Sequence, residues 1–316
     1  MKKYDLISIG EVLIDFIPTG NSHEFSMNFG GAPANVAVAV ARNGLDTAFC
    51  GMVGEDDFGR FIGQVFDREG VDFLCPDYCK EATTTLAFVN LDEFGDRSFT
   101  FARKPGADMF LSRDQLPEDQ IGACRMINSG TLSMVGGQSK DTNIYALQEA
   151  HRQGKIVALD LNYRDQLWDY DVEACCKVFH EVLPYVDLLK ISEEEVPMLK
   201  MPVTEAISKY GLTAVVVTLG PEGSLVHLPG DQVLKQEGIK AKVQDTTGAG
   251  DAFWGAFLAS LLRTGCNRAG DLSESDFAEA MRCGAVSGFF CVQKKGAIES
   301  LPTYEELLVT REELGL

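Results

Sequence analysis

The sequence predicts an α/β protein with three layers, in which a mostly parallel sheet carries helices on both faces, and with a small β lid attached. Several short runs are apolar without alternation, which is typical of strands buried on both faces of a parallel sheet. These runs span residues 6–9, 156–161, 186–189 and 214–219. Helical stretches separate the runs and imply right-handed crossovers; they cover residues 33–42, 58–69, 138–152, 172–183 and 197–210.

Two segments interrupt this alternation of strand and helix, and they predict the lid. Residues 12–17 and 25–29 flank a turn, and residues 84–90 lead through a glycine-containing loop at 92–96 into 97–101. The second segment has the alternation of a hairpin. Neither segment offers a helix to cover a parallel sheet. We therefore expect a single domain over residues 1–316, with a lid formed by about 12–29 and 83–103 inserted in it.

Composition narrows the class of protein. The chain has 316 residues and a formal net charge of −19, which argues against a general nucleic-acid binder because phosphate backbones attract basic surfaces. An anionic nucleotide can still bind through local dipoles and a few cations. No apolar span of about 18 residues occurs, so no membrane is expected. The nine cysteines are odd in number and scattered. We expect reduced thiols and a cytoplasmic protein.

The most informative segment lies near the C-terminus, where residues 245–257 read DTTGAGDAFWGAF. The small residues Gly248, Ala249 and Gly250 let backbone N–H groups approach an anion at the start of a helix, whose dipole also favours negative charge. Asp251 would lie beside that anion and accept a proton from an attacking hydroxyl group. The alternative is a glycine-rich turn that packs a helix closely against the sheet.

A second segment pairs glycines with polar side chains. Gly30 and Gly31 open a helix and let the backbone approach a ligand, and Asn35 in the first helical turn could direct its amide at a hydroxyl group. A plain helix start is the alternative. Asp15 follows an apolar strand and could accept hydrogen bonds from vicinal hydroxyl groups. The alternative there is an exposed strand residue.

Other candidate residues follow the predicted strands, where ligands of open α/β sheets bind. Arg164 could contact a phosphate or a closing lid, or form a surface ion pair. Ser192 and Glu195 form a capping box, and Glu195 could also be an outer ligand of hydrated magnesium. Thr218 and the turn after it could form one wall of a nucleotide cleft.

Two familiar nucleotide motifs are missing from the chain. The glycines between residues 51 and 59 have the spacing G-x-x-G-x-x-x-x-G, which does not match the dinucleotide motif G-x-G-x-x-G. Nothing else in the sequence supports the hypothesis that the protein is a nicotinamide dehydrogenase. No P-loop motif G-x-x-x-x-G-K-[ST] occurs, so a kinase on this chain would not be a P-loop enzyme.

Taken together and in their order along the chain, the motifs resemble those of the PfkB (ribokinase-like) carbohydrate kinases, and among them the bacterial fructokinases most closely. The resemblance covers nearly the whole chain, and residues 30–54 and 245–258 are its most specific parts. It implies a ribokinase-like fold and ATP-dependent phosphorylation of a sugar hydroxyl group. It also implies Mg²⁺ as a cofactor, K⁺ as a further candidate, and homodimers that pack through their β lids.

The resemblance assigns roles position by position. Asp251 would be the general base, and the anion hole would comprise Gly248, Ala249 and Gly250. The sugar would be held by Asp15, Gly30, Gly31, Asn35, Arg103 and Arg164. The nucleotide would be bordered by Lys190, Thr218, Gly220 and Gly223. Glu195 would hold magnesium through water, although Ser192 replaces the asparagine of the family's N-x-x-E motif. A monovalent cation would lie near Asp245, Thr247 and the loop 295–297.

The segment after the double glycine bears on the choice of sugar. Members of the family that act on phosphorylated sugars tend to carry a lysine there, whereas this chain has Ala32 and Pro33. A neutral sugar, D-fructose, is therefore expected. Aminoimidazole riboside and 2-keto-3-deoxygluconate are the alternative substrates. A catalytically silent regulator that binds sugar or nucleotide is an alternative of another class, but the intact residues 248–251 argue against it.

Overall fold

A computed structural model of the chain describes residues 2–21, 24–74, 77–91 and 97–316. The predicted hairpin loop at 92–96 lies outside this range. The strands are β1 (Leu6–Ile9), β2 (Leu13–Pro18), β3 (Phe25–Gly30), β4 (Thr47–Cys50), β5 (Val71–Phe73), β6 (Leu86–Leu91), β7 (Arg97–Ala102), β8 (Met126–Gly130), β9 (Ile156–Asp160), β10 (Leu188–Ser192), β11 (Ala214–Thr218), β12 (Gly223–Leu228) and β13 (Gln232–Glu237). The α-helices are α1 (Ala32–Arg42), α2 (Asp57–Glu69), α3 (Glu118–Ala123), α4 (Gly137–Arg152), α5 (Val172–Val182), α6 (Val203–Tyr210), α7 (Ala249–Arg263), α8 (Glu274–Cys291) and α9 (Tyr304–Leu314).

The main sheet confirms the predicted parallel architecture. In the described ranges its nine strands have the order β13-β12-β11-β10-β9-β8-β1-β4-β5. Neighbouring strands from β11 to β5 are parallel, and β12 pairs antiparallel with both β11 and β13. No helix within the described residues is both long enough and apolar enough to cross a membrane.

Side-chain alternation along the strands produces the three layers. Ile7, Val157 and Val215 enter one core, which includes residues of α4, α5 and α6. The preceding residues Leu6, Ile156 and Ala214 enter another core, which includes residues of α1, α7 and α8. Successive side chains of a strand point to opposite faces, so an all-apolar strand has to be covered on both sides. The predicted α/β/α arrangement is confirmed.

A second, smaller sheet contains the strands of the two interrupting segments, in the order β3-β2-β6-β7. The pairs β2–β3 and β6–β7 are antiparallel, and β2 and β6 are parallel. Asp56 at the start of α2 holds the segment that leads into β6 of this small sheet. Its carboxylate accepts hydrogen bonds from the backbone nitrogen of Thr84 at 2.7 Å and from Thr84 Oγ1 at 2.8 Å.

The helix predicted over 197–210 is wrong in its extent. The chain instead forms a 3-10 segment, Glu193–Leu199, followed by α6. Lys200 has a φ of 55°, which is left-handed backbone that cannot continue a helix. Pro202 then lacks the N–H group that a continuous helix would need. The strand predicted over 186–189 starts two residues later, at Leu188.

Several strands of the main sheet end at one common edge. Within the parallel ladder, Gly130 pairs with Asp160, Asp160 pairs with Lys190, and Ser192 pairs with Thr218. Ligands of open α/β sheets bind outside the carboxyl ends of the strands. This edge therefore positions the candidate site.

Candidate active site

The start of α7 has the backbone of an anion-binding turn. Gly248 is the residue before the helix and has a φ of 76°. A Cβ atom at this position would lie 2.8 Å from the Cβ atom of Ala297, so both the backbone and the space require glycine. The helix begins with Ala249 and Gly250. The N–H group of Ala249 donates to the carbonyl oxygen of Thr246 at 3.2 Å, and that of Gly250 lacks a partner four residues earlier within the helix. The turn therefore presents donors and the positive end of the dipole.

Asp251 lies in this first turn and is partly exposed. Its Oδ2 atom accepts a hydrogen bond of 2.8 Å from Nδ2 of Asn35, a buried residue in the first turn of α1. The two motifs that sequence reasoning selected separately thus meet at one hydrogen bond.

Burial raises the pKa of Asp251 to about 6, while the hydrogen bond from Asn35 acts in the opposite direction. The charge of Asp160 also raises this pKa, and Lys190 and Arg164 lower it. A carboxylate with such a pKa is ionised at neutral pH and is still basic enough to accept a proton in a transition state.

Asp15 and the double glycine form a compact unit beside this base. A Cβ atom on Gly30 would lie 2.2 Å from Oδ2 of Asp15, so the glycine makes room for the carboxylate. Gly31 has a φ of 106°, and a Cβ atom there would lie 2.7 Å from the carbonyl oxygen of Glu11. Burial, with a further contribution from the charge of Asp251, raises the pKa of Asp15 to about 7.

A buried ion pair lies next to the anion-binding turn. Lys190 Nζ donates a hydrogen bond of 2.6 Å to Asp160 Oδ2, and both residues are buried. The same Nζ atom would lie 3.5 Å from a Cβ atom on Gly250. Burial lowers the pKa of Lys190, but the charge and hydrogen bond of Asp160, together with the charges of Glu195 and Asp251, raise it overall. A permanent positive charge therefore adjoins the start of α7.

Glu195 is held by two backbone donors. Its Oε1 and Oε2 atoms accept hydrogen bonds from the nitrogens of Tyr163 at 2.6 Å and Ser192 at 2.7 Å, and the predicted capping box is present. Burial raises the pKa of Glu195, and the charge of Asp160 adds to this effect.

The carboxylates around Glu195 offer a place for magnesium that is held through water. Among the described residues, no group of three or more His, Cys, Asp or Glu side chains could hold a metal directly. Asp160 Oδ1, however, is buried and has no hydrogen-bond partner within the described part of the chain. An orphaned carboxylate oxygen near Glu195 fits a hydrated ion held through water.

The two segments predicted to hold a monovalent cation, residues 245–247 and the loop 295–297, are adjacent. Asp245 Oδ1 accepts a hydrogen bond of 2.7 Å from the nitrogen of Thr247, and Asp245 Oδ2 accepts one of 3.3 Å from the nitrogen of Gly296. Cys291 Sγ donates to the carbonyl oxygen of Thr247 at 3.5 Å. The segment around Asp245 and the loop 295–297 therefore lie together, as a shared site requires.

The residues predicted to border a nucleotide lie around the ends of β10 and β11. Thr218 is the last residue of β11, and its Oγ1 atom donates to the carbonyl oxygen of Ile191 at 3.5 Å. Gly220 has a φ of 54°, and a Cβ atom there would meet no described atom within 4 Å. Gly223 is different, because its Cβ atom would lie 2.0 Å from the carbonyl oxygen of Gln236. Packing against β13 alone accounts for glycine at 223.

The two arginines occupy different environments. Arg103 is buried, and its Nε and Nη2 atoms donate to Asp108 Oδ2 at 2.9 and 2.6 Å. Nη2 also donates to the carbonyl oxygen of Leu132 at 3.0 Å. Arg164 is exposed and donates to the carbonyl oxygen of Tyr163 at 2.9 Å. Its charge lowers the pKa values of both Asp15 and Asp251, so it acts on the carboxylates from the solvent side.

Sequence reasoning missed three acidic residues of this region: Glu11, Asp108 and Asp160. Asp108 and Asp160 are the partners of Arg103 and Lys190. Glu11 is almost completely buried, and neither of its carboxyl oxygens has a hydrogen-bond partner among the described residues. The available signal was an acidic side chain directly after a mostly apolar strand and Gly10.

The class of protein follows from this arrangement and from comparison with known families. An anion-binding helix start, an adjacent base and a fixed ammonium group suit phosphoryl transfer to a hydroxyl group. A profile of the pfkB family carbohydrate kinases matches residues 3–304, and the chain belongs to that family. The predicted family, the ribokinase-like fold and the class of carbohydrate kinase are confirmed.

Individual relatives narrow the comparison. The probable fructokinase-5 of Arabidopsis thaliana is 35% identical over 312 residues, which cover 94% of each chain. The crystal structure of a fructokinase from Xylella fastidiosa with bound ATP has a TM-score of 0.86 at 28% identity, covering 98% of this chain and 99% of that one. A fructokinase double mutant from Vibrio cholerae O395, with fructose, ADP and potassium ion bound, has a TM-score of 0.86 at 31% identity over 98% of this chain and 99% of its own. The predicted similarity to fructokinases is also confirmed.

Proposed function

We propose that this protein transfers the γ-phosphoryl group of ATP to D-fructose and forms fructose 6-phosphate and ADP. The observation that carries the proposal is the hydrogen bond between Asn35 and Asp251 at the start of α7, because it joins the expected sugar side chain to the expected base. The named fructokinases among the relatives support fructose as the sugar.

The mechanism follows from the positions of the side chains. Asp15, Asn35 and the backbone at Gly30 and Gly31 hold the sugar. Its hydroxyl oxygen attacks the terminal phosphorus, the bond from that phosphorus to the β-phosphate oxygen breaks, and Asp251 accepts the hydroxyl proton. Little covalent work by the protein is needed, so positioning and charge neutralisation dominate.

Charge neutralisation comes from two sides of the transferred group. The N–H groups of Gly248, Ala249 and Gly250 form the anion hole, and the ammonium group of Lys190 lies beside it. Preorganised donors of this kind stabilise charge without reorganising during the reaction. Thr218, Gly220 and Gly223 border the nucleotide, and Arg164 approaches the sugar or the phosphates from solvent.

Metal ions complete the proposed site. Magnesium supplies positive charge to the phosphates of ATP. Glu195 would hold it through water, together with the orphaned Oδ1 atom of Asp160. We also propose a potassium site at Asp245, Thr247 and the loop 295–297, supported by the contacts between these segments. Activity measured in potassium salts and in salts of larger organic cations tests this site.

The small sheet is proposed as a lid, inserted into a single domain over residues 1–316. Closure of such a lid excludes water, which would otherwise compete with the sugar for the phosphoryl group. Phe25 and Met27 on β3 are 42% and 40% exposed, so this sheet offers apolar surface for a homodimer. Thiols such as Cys124, Cys175 and Cys283 are buried, and reduced thiols of this kind support a cytoplasmic location.

A sugar panel tests the proposal. ADP release is measured with ATP and magnesium on fructose, aminoimidazole riboside and 2-keto-3-deoxygluconate. We expect the highest kcat/KM with fructose. A preference for the riboside or the keto acid would overturn the choice of sugar and leave the phosphoryl-transfer chemistry intact. Sugar binding without ADP release from any substrate would instead show that the protein is a catalytically silent regulator that binds sugar.

A further inference from the structure

Glu11 is a buried acid that the proposed mechanism does not use. It follows Gly10 at the carboxyl end of β1, the residue is 2% exposed, and neither carboxyl oxygen has a hydrogen-bond partner on any other described residue. A buried polar group without a partner destabilises the folded protein. Most buried side-chain polar atoms are satisfied in native proteins, so an exception calls for a functional explanation.

The position of Glu11 connects it with the sugar site. Its carbonyl oxygen lies 2.7 Å from the point where a Cβ atom on Gly31 would stand, so its backbone adjoins the double glycine. Its carboxyl group interacts electrostatically with Asp108, Arg103 and Asp251. Glu11 therefore belongs to the same buried region as the base and the Arg103–Asp108 pair.

Arg103 adds an unused donor to this region. Its Nε and Nη2 atoms make all of its hydrogen bonds, and no described residue accepts one from Nη1. Asp108 balances the positive charge of the guanidinium group. The region thus contains two carboxyl oxygens and the two N–H donors of Nη1 without partners on other described residues, but no excess positive charge.

We propose that Glu11 is a specificity-determining ligand of the sugar. Its carboxyl group and Nη1 of Arg103 hydrogen-bond those hydroxyl groups that are not phosphorylated. The inference rests on the proposed binding of a sugar beside Asp251. A hydroxyl group both donates and accepts, so vicinal hydroxyl groups would complete all of the unsatisfied atoms. The substrate class is a neutral polyhydroxylated sugar.

The charge state of Glu11 sharpens this selectivity. Burial raises the pKa of Glu11 to about 8; a hydrogen bond from the residue's own backbone and the charge of Arg103 oppose this effect, and the charges of Asp108 and Asp251 add to it. At pH 7 the group is a neutral acid that can donate and accept. Above pH 8 it becomes an anion that only accepts and that repels the neighbouring carboxylates. Because Asp108 already balances Arg103, a sugar carboxylate or phosphate would find no compensating charge here.

Two substitutions of Glu11 separate a binding role from a structural one. Glu11→Gln keeps a donor and an acceptor but cannot ionise, and Glu11→Leu removes both. Fructose KM and kcat are measured between pH 6 and pH 9, and fructose affinity is measured by calorimetry without ATP. Asp187→Asn is the control, because burial also raises the pKa of Asp187 but this residue precedes β10 at the opposite edge of the sheet.

The wild type should show a fructose KM that rises above pH 8, whereas Glu11→Gln should lack this rise. Glu11→Leu should raise KM and the dissociation constant about tenfold to a hundredfold at every pH, the loss expected when hydrogen bonds to a ligand are removed, with a much smaller change in kcat. Its thermal stability should increase, because an unsatisfied buried group is removed. Asp187→Asn should retain the wild-type pH dependence of KM.

A fructose KM within twofold of wild type in Glu11→Leu, or an unchanged rise above pH 8 in Glu11→Gln, would overturn the inference. If Glu11→Leu fails to fold, the pH profile of Glu11→Gln decides. If the wild type prefers another neutral sugar, fructose is the wrong substrate and the same comparison is made with that sugar. A preferred substrate that carries a carboxylate or phosphate would refute the role of Glu11 and leave Asp251 as the base.

Discussion

Asp251 holds its proton more tightly than an ordinary aspartate, because burial raises its pKa to about 6. The group must be ionised to accept the proton of the sugar. We therefore predict that kcat falls as the pH drops through about 6 and is independent of this group above pH 7. A pH–rate profile at saturating fructose and ATP checks this. A profile that stays flat to pH 5 would show that Asp251 does not titrate in the working range.

The hydrogen bond from Asn35 opposes the effect of burial on Asp251. Asn35→Leu keeps the approximate volume and removes the donor. Hydrogen bonds to charged groups contribute about 1.5–3 kcal/mol, so the acidic limb of the profile should move up by about one pH unit or more.

Asn143 is a matched control for Asn35, because it is fully buried on α4 and its amide donates within that helix at 2.7 Å. Asn143→Leu should leave the acidic limb in place even if it lowers stability. Equal shifts in the two variants would mean that the contact between Asn35 and Asp251 has no specific effect on the base.

At the scale of elements, the start of α7 depends on one glycine. Gly248→Ala places a side chain on left-handed backbone and brings its Cβ atom to 2.8 Å from that of Ala297. The backbone alone costs about 1–2 kcal/mol, and relief of the contact would displace the anion-binding turn. We predict a lower free energy of unfolding in urea and a fall in kcat larger than any rise in KM.

Gly265 provides the control for this substitution. It also has a left-handed φ, 82°, but a Cβ atom there would meet no described atom within 4 Å. Gly265→Ala should lower stability by the backbone cost only and retain kcat. If both variants keep full kcat, the position of the helix start is not critical for phosphoryl transfer.

Local sequence patterns predicted those strands and helices whose pattern of apolar residues is contained within the segment itself. Residues 6–9 and 33–42 were predicted within one residue of β1 and α1, since an apolar run without alternation and a helical periodicity are each contained within the segment itself. The three-residue strand β5 is too short for any periodicity, and α8 was not predicted. The break at Lys200 depends on backbone that composition does not reveal.

The candidate site divides in the same way. Asp251 and Asn35 lie in motifs that are complete within a few residues, so sequence alone selected them. Pairs such as Lys190 with Asp160 depend on which strands are neighbours in the sheet, and that order appears only in three dimensions. Sequence alone also could not predict that the carboxyl group of Glu11 lacks hydrogen-bond partners on other residues. This depends on the three-dimensional positions of all the polar groups around it.

The whole molecule is proposed to be a dimer that packs through its small sheets. Replacing Phe25 and Met27 by serine removes exposed apolar surface from β3 and should halve the mass measured by sedimentation. Val309 on α9 is 52% exposed and lies outside the small sheet, so Val309→Ser should remain dimeric. A monomeric wild type, or a dimer that survives the double substitution, would exclude this interface.

Asp251→Asn tests the account of the whole enzyme most directly. The amide retains the shape and contacts of the carboxylate but cannot accept the proton of the sugar hydroxyl group. The account predicts wild-type thermal stability and fructose binding, together with a kcat lower by a factor on the order of 10²–10⁴, the usual contribution of general base catalysis. A correctly folded Asp251→Asn variant that turns over fructose and ATP at a rate near that of the wild type would contradict it.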